Sequence, residues 1–217
     1  LFEQFGPIPI IRGAVDVNTP TEELKVERNS VDEVVDWLDT ELLSIANALP
    51  KTISNDFYGA KPTQAAALAI RARLLLYAAS PLFNSPDNYA SLREFYTLAN
   101  RDGKRLFPQN YDETKWKRAA DAAKLLIDTQ TQHELMGATA EGVPNTFEDA
   151  YKYYRSVFTE PMNKEVLFAR SLMVWTNWTD FDEYLQTACP KQYGAGGMQG
   201  ITQKLIDAFY LDDGTQA

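Results

Sequence analysis

Residues 58–84 read YGAKPTQAAALAIRARLLLYAASPLFN, the longest apolar helical pattern in the chain. From Ala65 the small or apolar positions return at Leu68, Ala69, Ala72, Leu75, Leu76 and Ala79, which is the i, i+3, i+4, i+7 spacing of one helix face. Ala66, Ala67, Ile70, Leu74 and Ala78 make the opposite side apolar too, so the spacing predicts a helix sandwiched between neighbours rather than laid on a surface. Its seven alanines let those neighbours come close, and Leu75, Leu76 and Tyr77 fill the wider gaps. Both ends are marked. Pro62 is tolerated in a first turn and Thr63 can cap it, while Pro81 forbids continuation and moves Ser80 out of the helical region. Such a helix of roughly 18 residues spans about 27 Å, enough to cross a domain.

Working outward, Ser30-Val31-Asp32-Glu33 is a capping box, in which serine and glutamate satisfy otherwise unpaired amides reciprocally. Val31, Val34, Val35, Leu38, Leu42, Ile45, Ala46 and Leu49 follow at helical spacing, and Pro50 ends the run. Asp32, Glu33, Asp36, Asp39 and Glu41 fill the other face, which predicts an amphipathic helix with a solvated acidic side. Residues 51–59 then connect two helices that should lie antiparallel. Residues 1–21, with Gly6, Pro7, Pro9, Gly13 and Pro20, read as extended chain and turns that could include one short strand.

Downstream, residues 89–99 suit a short helix and residues 112–129 a strong one. Trp116, Ala119, Ala120, Ala123, Leu126 and Ile127 share one of its faces, so Trp116 reads as core, as does Phe209 in a last helix. Thr146-Phe147-Glu148-Asp149 is a second capping-box pattern, opening a helix to about Phe158. Residues 165–168 suit a short strand or turn edge. The organisation expected is one helical region: an extended lead-in at 1–29, two helix pairs at 30–158, an aromatic-rich loop region at 159–200, and a terminal helix and turn at 201–217.

The 217 residues carry a formal charge of −9 without a basic cluster, which makes nucleic acid and anionic membrane poor partners. A mean hydropathy of −0.35 and the lack of a long uncharged run argue against a transmembrane helix. One cysteine, Cys189, and one histidine, His133, leave no disulfide framework and no thiolate or histidine-rich metal site. No cofactor is expected. Asp180, Asp182 and Glu183 could supply paired carboxylates for glycoside hydrolysis, but adjacent acids are usually solvated surface. Asp212-Asp213-Gly214 lacks the alternating ligands of a calcium loop and reads as a turn.

The stretch from Gly59, Pro62 and Thr63 through 65–68, Ala72, Arg73 and 75–77 to the A-A-S-P-L-F-N of 78–84 resembles the signature helix of the SusD/RagB family of starch-utilisation-type outer-membrane lipoproteins. Tyr111-Asp112, Lys115-Trp116, 119–123, 205–209 and Asp213-Gly214 are similar to further words of that family. The resemblance implies an all-α fold of tetratricopeptide-like helix pairs with long irregular loops. It also implies a fragment of a longer protein whose leader and lipidated cysteine lie upstream, because the chain opens Leu1-Phe2-Glu3 with neither. The membrane would be met only through that N-terminal lipid anchor, at the extracellular face of the outer membrane. The partners implied are an oligosaccharide or polysaccharide and a SusC-like TonB-dependent transporter, with no catalysis. The alternative is a tetratricopeptide-like protein-interaction module that binds no glycan.

Tyr151, Tyr153, Tyr154, Trp175, Trp178, Phe181, Tyr184 and Tyr193 crowd the chain after residue 150. Sugar rings present C–H faces that lie on flat aromatic surfaces, while their hydroxyls take hydrogen bonds from Asn, Gln, Arg and Asp. Trp175 and Trp178, with Asn177 between them and Tyr184 following, are therefore the expected ligand contacts, with Arg170 nearby. The plainer alternative is that such rings close the core beneath the loops.

Overall fold

The computed structural model describes residues 2–53, 61–84, 93–138, 146–160, 163–168, 207–209 and 215. The chain divides into two compact units, Leu1–Arg170 and Ser171–Ala217, and nearly all described residues belong to the first. Its helices are α1 (Phe2–Phe5), α2 (Val31–Ala48), α3 (Gln64–Ala79), α4 (Pro81–Asn84), α5 (Arg93–Thr97), α6 (Thr114–Thr129) and α7 (Phe147–Thr159). The architecture is all-α. Among the described residues the only β-type pairing is an isolated antiparallel bridge between Ala99 and Arg105.

The caps form where the sequence puts them. Ser30 Oγ accepts from the Glu33 amide, and Glu33 Oε2 accepts from the Ser30 amide at 2.9 Å, so α2 starts with a closed capping box. Thr63 Oγ1 accepts from the Ala66 amide to start α3. Before Pro81 the chain leaves the helix at Ser80, whose hydroxyl donates to the Tyr77 carbonyl at 2.6 Å. At α7 the box is only half built. Thr146 caps the Asp149 amide, but aspartate is a methylene shorter than glutamate, and its carboxylate takes the Thr146 hydroxyl instead of the backbone.

Helix α3 is the middle of a three-helix layer, packing on α2 along one flank and on α6 along the other. Gln64 at its start donates to the Ala46 carbonyl at the end of α2 and accepts from the buried Gln130, which caps the end of α6. At its other end Asn84, fully buried, donates to the Asp112 carbonyl at 2.7 Å and accepts from the Asp112 amide at 3.0 Å. One side chain thus mimics a two-bond backbone pair and fixes where α6 begins. Both neighbours therefore run antiparallel to α3, and α2 and α6 run the same way as each other.

The core gathers Val31, Val34 and Val35 of α2, Leu74, Leu75 and Ala78 of α3, Ala119 and Ala122 of α6, and Phe2, Phe83, Tyr96, Leu106 and Phe107. Three expectations change here. Residues 2–5 form a helical turn, not extended chain, because Phe2 stacks on Phe83 at 4.8 Å and Gly6, at φ +64°, closes the turn onto the Phe2 carbonyl. Helix α3 is sandwiched between α2 and α6 as its spacing predicts, but Ile70, Leu76 and Tyr77, expected to be covered or to fill gaps, face outward with Arg73. The α6 face is rotated from the apolar count: Trp116 is 41% exposed and Ile127 is exposed, while Lys115 and Arg118 turn inward with Ala119 and Ala122. Phe209 is exposed as well.

Candidate functional site

The rotation of α6 has an electrostatic cause. The acidic side of α2, solvated at Asp32 and Asp36, also draws in cations: Lys115 reaches Asp32 at 2.6 Å, and Arg118 takes Asp36 and Asp39, each at 2.6 Å. From the floor between the two helices Arg71 of α3 reaches Asp39 at 2.5 Å, so this carboxylate, 14% exposed, holds two guanidinium groups. Burial pushes the Asp39 carboxyl up, but hydrogen bonds from Arg118 and Arg71 outweigh it and hold the group below the usual carboxylate range. Around this node runs an open groove of about 820 Å³ whose walls include Asp112, Thr114, Lys117 and Asp121. Lys117 pairs with Asp121 at 2.7 Å. Its principal cations and anions are paired with one another, which makes the groove first a clamp between α2 and α6.

Helix α7 is built differently. It buries none of its residues, and Phe147, Tyr151, Tyr154 and Phe158 are 86%, 58%, 69% and 75% exposed. Their spacing of four, three and four residues puts all four rings on one face. Phe147 stacks on Tyr151 at 6.5 Å and Tyr154 meets Phe158 edge-on at 5.4 Å, so the rings form a ridge about 16 Å long at helical rise. Arg155, four residues beyond Tyr151, has no ion-pair partner among the described residues.

Other contacts hold the helix from the remaining sides. A Cβ on Gly137, at φ +75°, would run into the Tyr153 ring, so the loop after α6 lies directly on α7. Asn163 donates to the Val157 and Glu160 carbonyls and closes the last turn. His133 Nδ1 donates to the Lys164 carbonyl at 3.0 Å, and Met136 N–H donates to Glu165 at 2.7 Å, which ties that loop to residues 163–168. These residues form a turn, with Val166 N–H on the Asn163 carbonyl.

The expected contacts Trp175, Trp178, Asn177 and Tyr184 lie outside the described residues, as do Arg170, Phe181, Tyr193, Cys189 and the carboxylates Asp180, Asp182 and Glu183. Of the aromatic cluster read from the sequence, Tyr151, Tyr153 and Tyr154 are described, and the structure adds Phe147 and Phe158. Their signal was present as a four-three-four repeat of rings starting at the cap. Among the described residues no group of histidine, cysteine and carboxylate side chains could hold a metal ion. No described helix is long and apolar enough to cross a membrane.

Solved structures share this arrangement. BT4246 matches with a TM-score of 0.60 at 25% identity, over 81% of this chain and 33% of its own. A selenomethionine form of BT4246 matches with a TM-score of 0.65 at 24% identity, over 99% of this chain and 39% of its own. A SusD-like protein, BF3747 from Bacteroides fragilis NCTC 9343, matches all of this chain with a TM-score of 0.59 at 19% identity. The fold is SusD-like. The chain spans roughly a third of the length of each of these structures, 33%, 39% and 33%. No family model and no curated protein matches it. Within the SusD-like fold the described residues supply the layer α2–α3–α6, the charged clamp that closes it and the exposed ridge of α7.

Proposed function

We propose that this chain is a non-catalytic glycan-binding protein at the extracellular face of the outer membrane, tethered there through an N-terminal lipid, which hands oligosaccharide to a SusC-like TonB-dependent transporter. The observation that carries the reading is the ridge of four exposed rings on α7, borne by a SusD-like fold. A contiguous exposed aromatic row is costly to leave bare and marks an interaction surface. Its length suits several sugar rings in line better than one. The ring faces take the C–H faces of the sugars, the Tyr151 and Tyr154 hydroxyls exchange hydrogen bonds with sugar hydroxyls, and Arg155, without an ion-pair partner among the described residues, donates to others. Trp175, Trp178, Asn177 and Tyr184, outside the described residues, are proposed as separate sugar contacts, the two indoles as platforms and the amide as a hydrogen-bonding group.

Isothermal titration calorimetry on the full chain tests it, using oligosaccharides chosen from a glycan array. Tyr151→Ala with Tyr154→Ala, and separately Trp175→Ala with Trp178→Ala, should each weaken binding while thermal stability is kept. Wild-type affinity in both double variants would overturn the assignment of the surface. Shortened products after incubation with a bound polysaccharide would overturn the non-catalytic reading.

A further inference from the structure

Away from α7, the start of the chain builds a second recognition feature. A pocket of about 240 Å³ opens between α1 and the turn that follows it, α4, Phe95 and Leu98 in and just after α5, and Phe107. Phe83 and Phe107 form its buried floor, with parallel rings 6.2 Å apart, and Phe5, Leu82, Phe95 and Leu98 form an exposed apolar rim. Gly6 keeps it open at one wall. A Cβ there would lie 3.3 Å from the Phe107 ring, and the backbone φ of +64° disfavours any side chain. The volume falls below the about 300–1,000 Å³ of sites for whole small-molecule ligands. It suits one large apolar side chain.

Charge at the rim is one-sided. Glu3 lines the pocket, but both its oxygens are taken by Arg73 at 2.9 and 3.0 Å. Arg28 lines it too, its carbonyl held by Asn100 at 2.7 Å, and its guanidinium has no partner among the described residues. In a chain of net charge −9 that cation, without an ion-pair partner among the described residues, stands beside an aromatic cup. A groove of about 230 Å³, lined by Lys25, Val26, Glu27, Asn100 and Arg101, continues from the other side of Arg28, and there Glu27 is taken by Arg101 at 3.8 Å and Lys25 by Glu22 at 2.7 Å. Anchoring by one apolar side chain in a preformed pocket, with a charged contact at its rim, is how compact protein interfaces concentrate their binding energy.

We propose that this pocket docks an extended segment of a partner protein that inserts one phenylalanine or leucine side chain between Phe5 and Phe95 and sets a carboxylate on Arg28. The proposal does not rest on the glycan reading, because α7 and this pocket share no residue.

Fluorescence polarisation on the full chain tests it, with two capped, labelled hexapeptides that differ only in carrying glutamate or lysine beside a single phenylalanine. The glutamate peptide should bind about three- to fivefold tighter than the lysine peptide, the range of an exposed ion pair. Arg28→Glu, at an exposed position, should reverse that preference, and Phe95→Ala should weaken both peptides about tenfold. Glycan affinity should stay at its wild-type value in both variants. Equal affinity for the two peptides, no binding of either, or indifference to both substitutions would overturn the proposal. So would a concentration-dependent dimer abolished by Phe95→Ala, which would give the pocket to a second copy of this chain.

Discussion

Helices α3 and α7 are close in length, 16 and 13 residues, and opposite in use. Eight residues of α3 are buried and none of α7 are, although α7 carries the larger apolar side chains. Alanine lets α2 and α6 approach α3 closely, so its burial comes from backbone proximity on two flanks. Rings at every third or fourth position of α7 leave flat apolar faces in water. The first helix holds the fold together, and the second is available for contact with something else.

Substitutions separate the two uses. The largest effect is expected at Leu75, 2% exposed at the centre of α3, where Leu75→Ala should cost about 2–5 kcal/mol in chemical denaturation through lost burial and the cavity left behind. A cost under about 1 kcal/mol there would mean α3 is not the frame.

Next comes Asp39. Asp39→Ala leaves Arg71 and Arg118 facing each other without their shared carboxylate and should cost about 1–3 kcal/mol. It should loosen α6 in hydrogen exchange more than α3. Unchanged protection of α6 would show that apolar contact with α3 alone seats it.

Smaller is the cap of α2, where Ser30→Ala should cost about 1 kcal/mol. The same cap gives a pH dependence. The Glu33 carboxyl is held at about 2, below its ordinary 4.5, first by the hydrogen bond from Lys104 and then by the Ser30 amide. Its contribution is therefore complete above pH about 4.5 and is lost as the pH falls through about 2. Asp39, also held low, adds in the same direction. Thermal melts between those pH values should fall more steeply for the wild type than for Glu33→Gln, and parallel slopes would remove Glu33 from the account.

The smallest change in stability is expected on α7, where Tyr151→Ala with Tyr154→Ala should stay within about 0.5 kcal/mol of wild type. A larger loss would mean the ridge is part of a core, and the contrast with α3 would fail.

The fold was far more legible than the site. Ser30, Thr63, Pro81 and Thr146 marked helix ends because capping and proline chemistry act within four residues, and the structure keeps each of those ends. The apolar face of α6 misled, because spacing weighs Trp116 and Ile127 by hydrophobicity and cannot register that Lys115 and Arg118 find three aspartates on a helix some eighty positions earlier in the chain. On the acidic side of α2, Asp32, Asp36 and Glu41 are exposed as expected, and what spacing could not register is the cations that pair with Asp32, Asp36 and Asp39.

By itself, then, the sequence determined where α2, α3, α6 and α7 lie and how most of their ends are capped, and the resemblance of residues 58–84 to the SusD/RagB signature, since these depend on neighbours in the chain. Only the tertiary structure decided which faces are covered. It seated α6 against α3 through Asn84 and Gln130, paired acids of α2 with Arg71, Lys115 and Arg118, and left the ring face of α7 exposed. Burial and ion pairing are relations between residues far apart in sequence, and they exist only once the helices have packed.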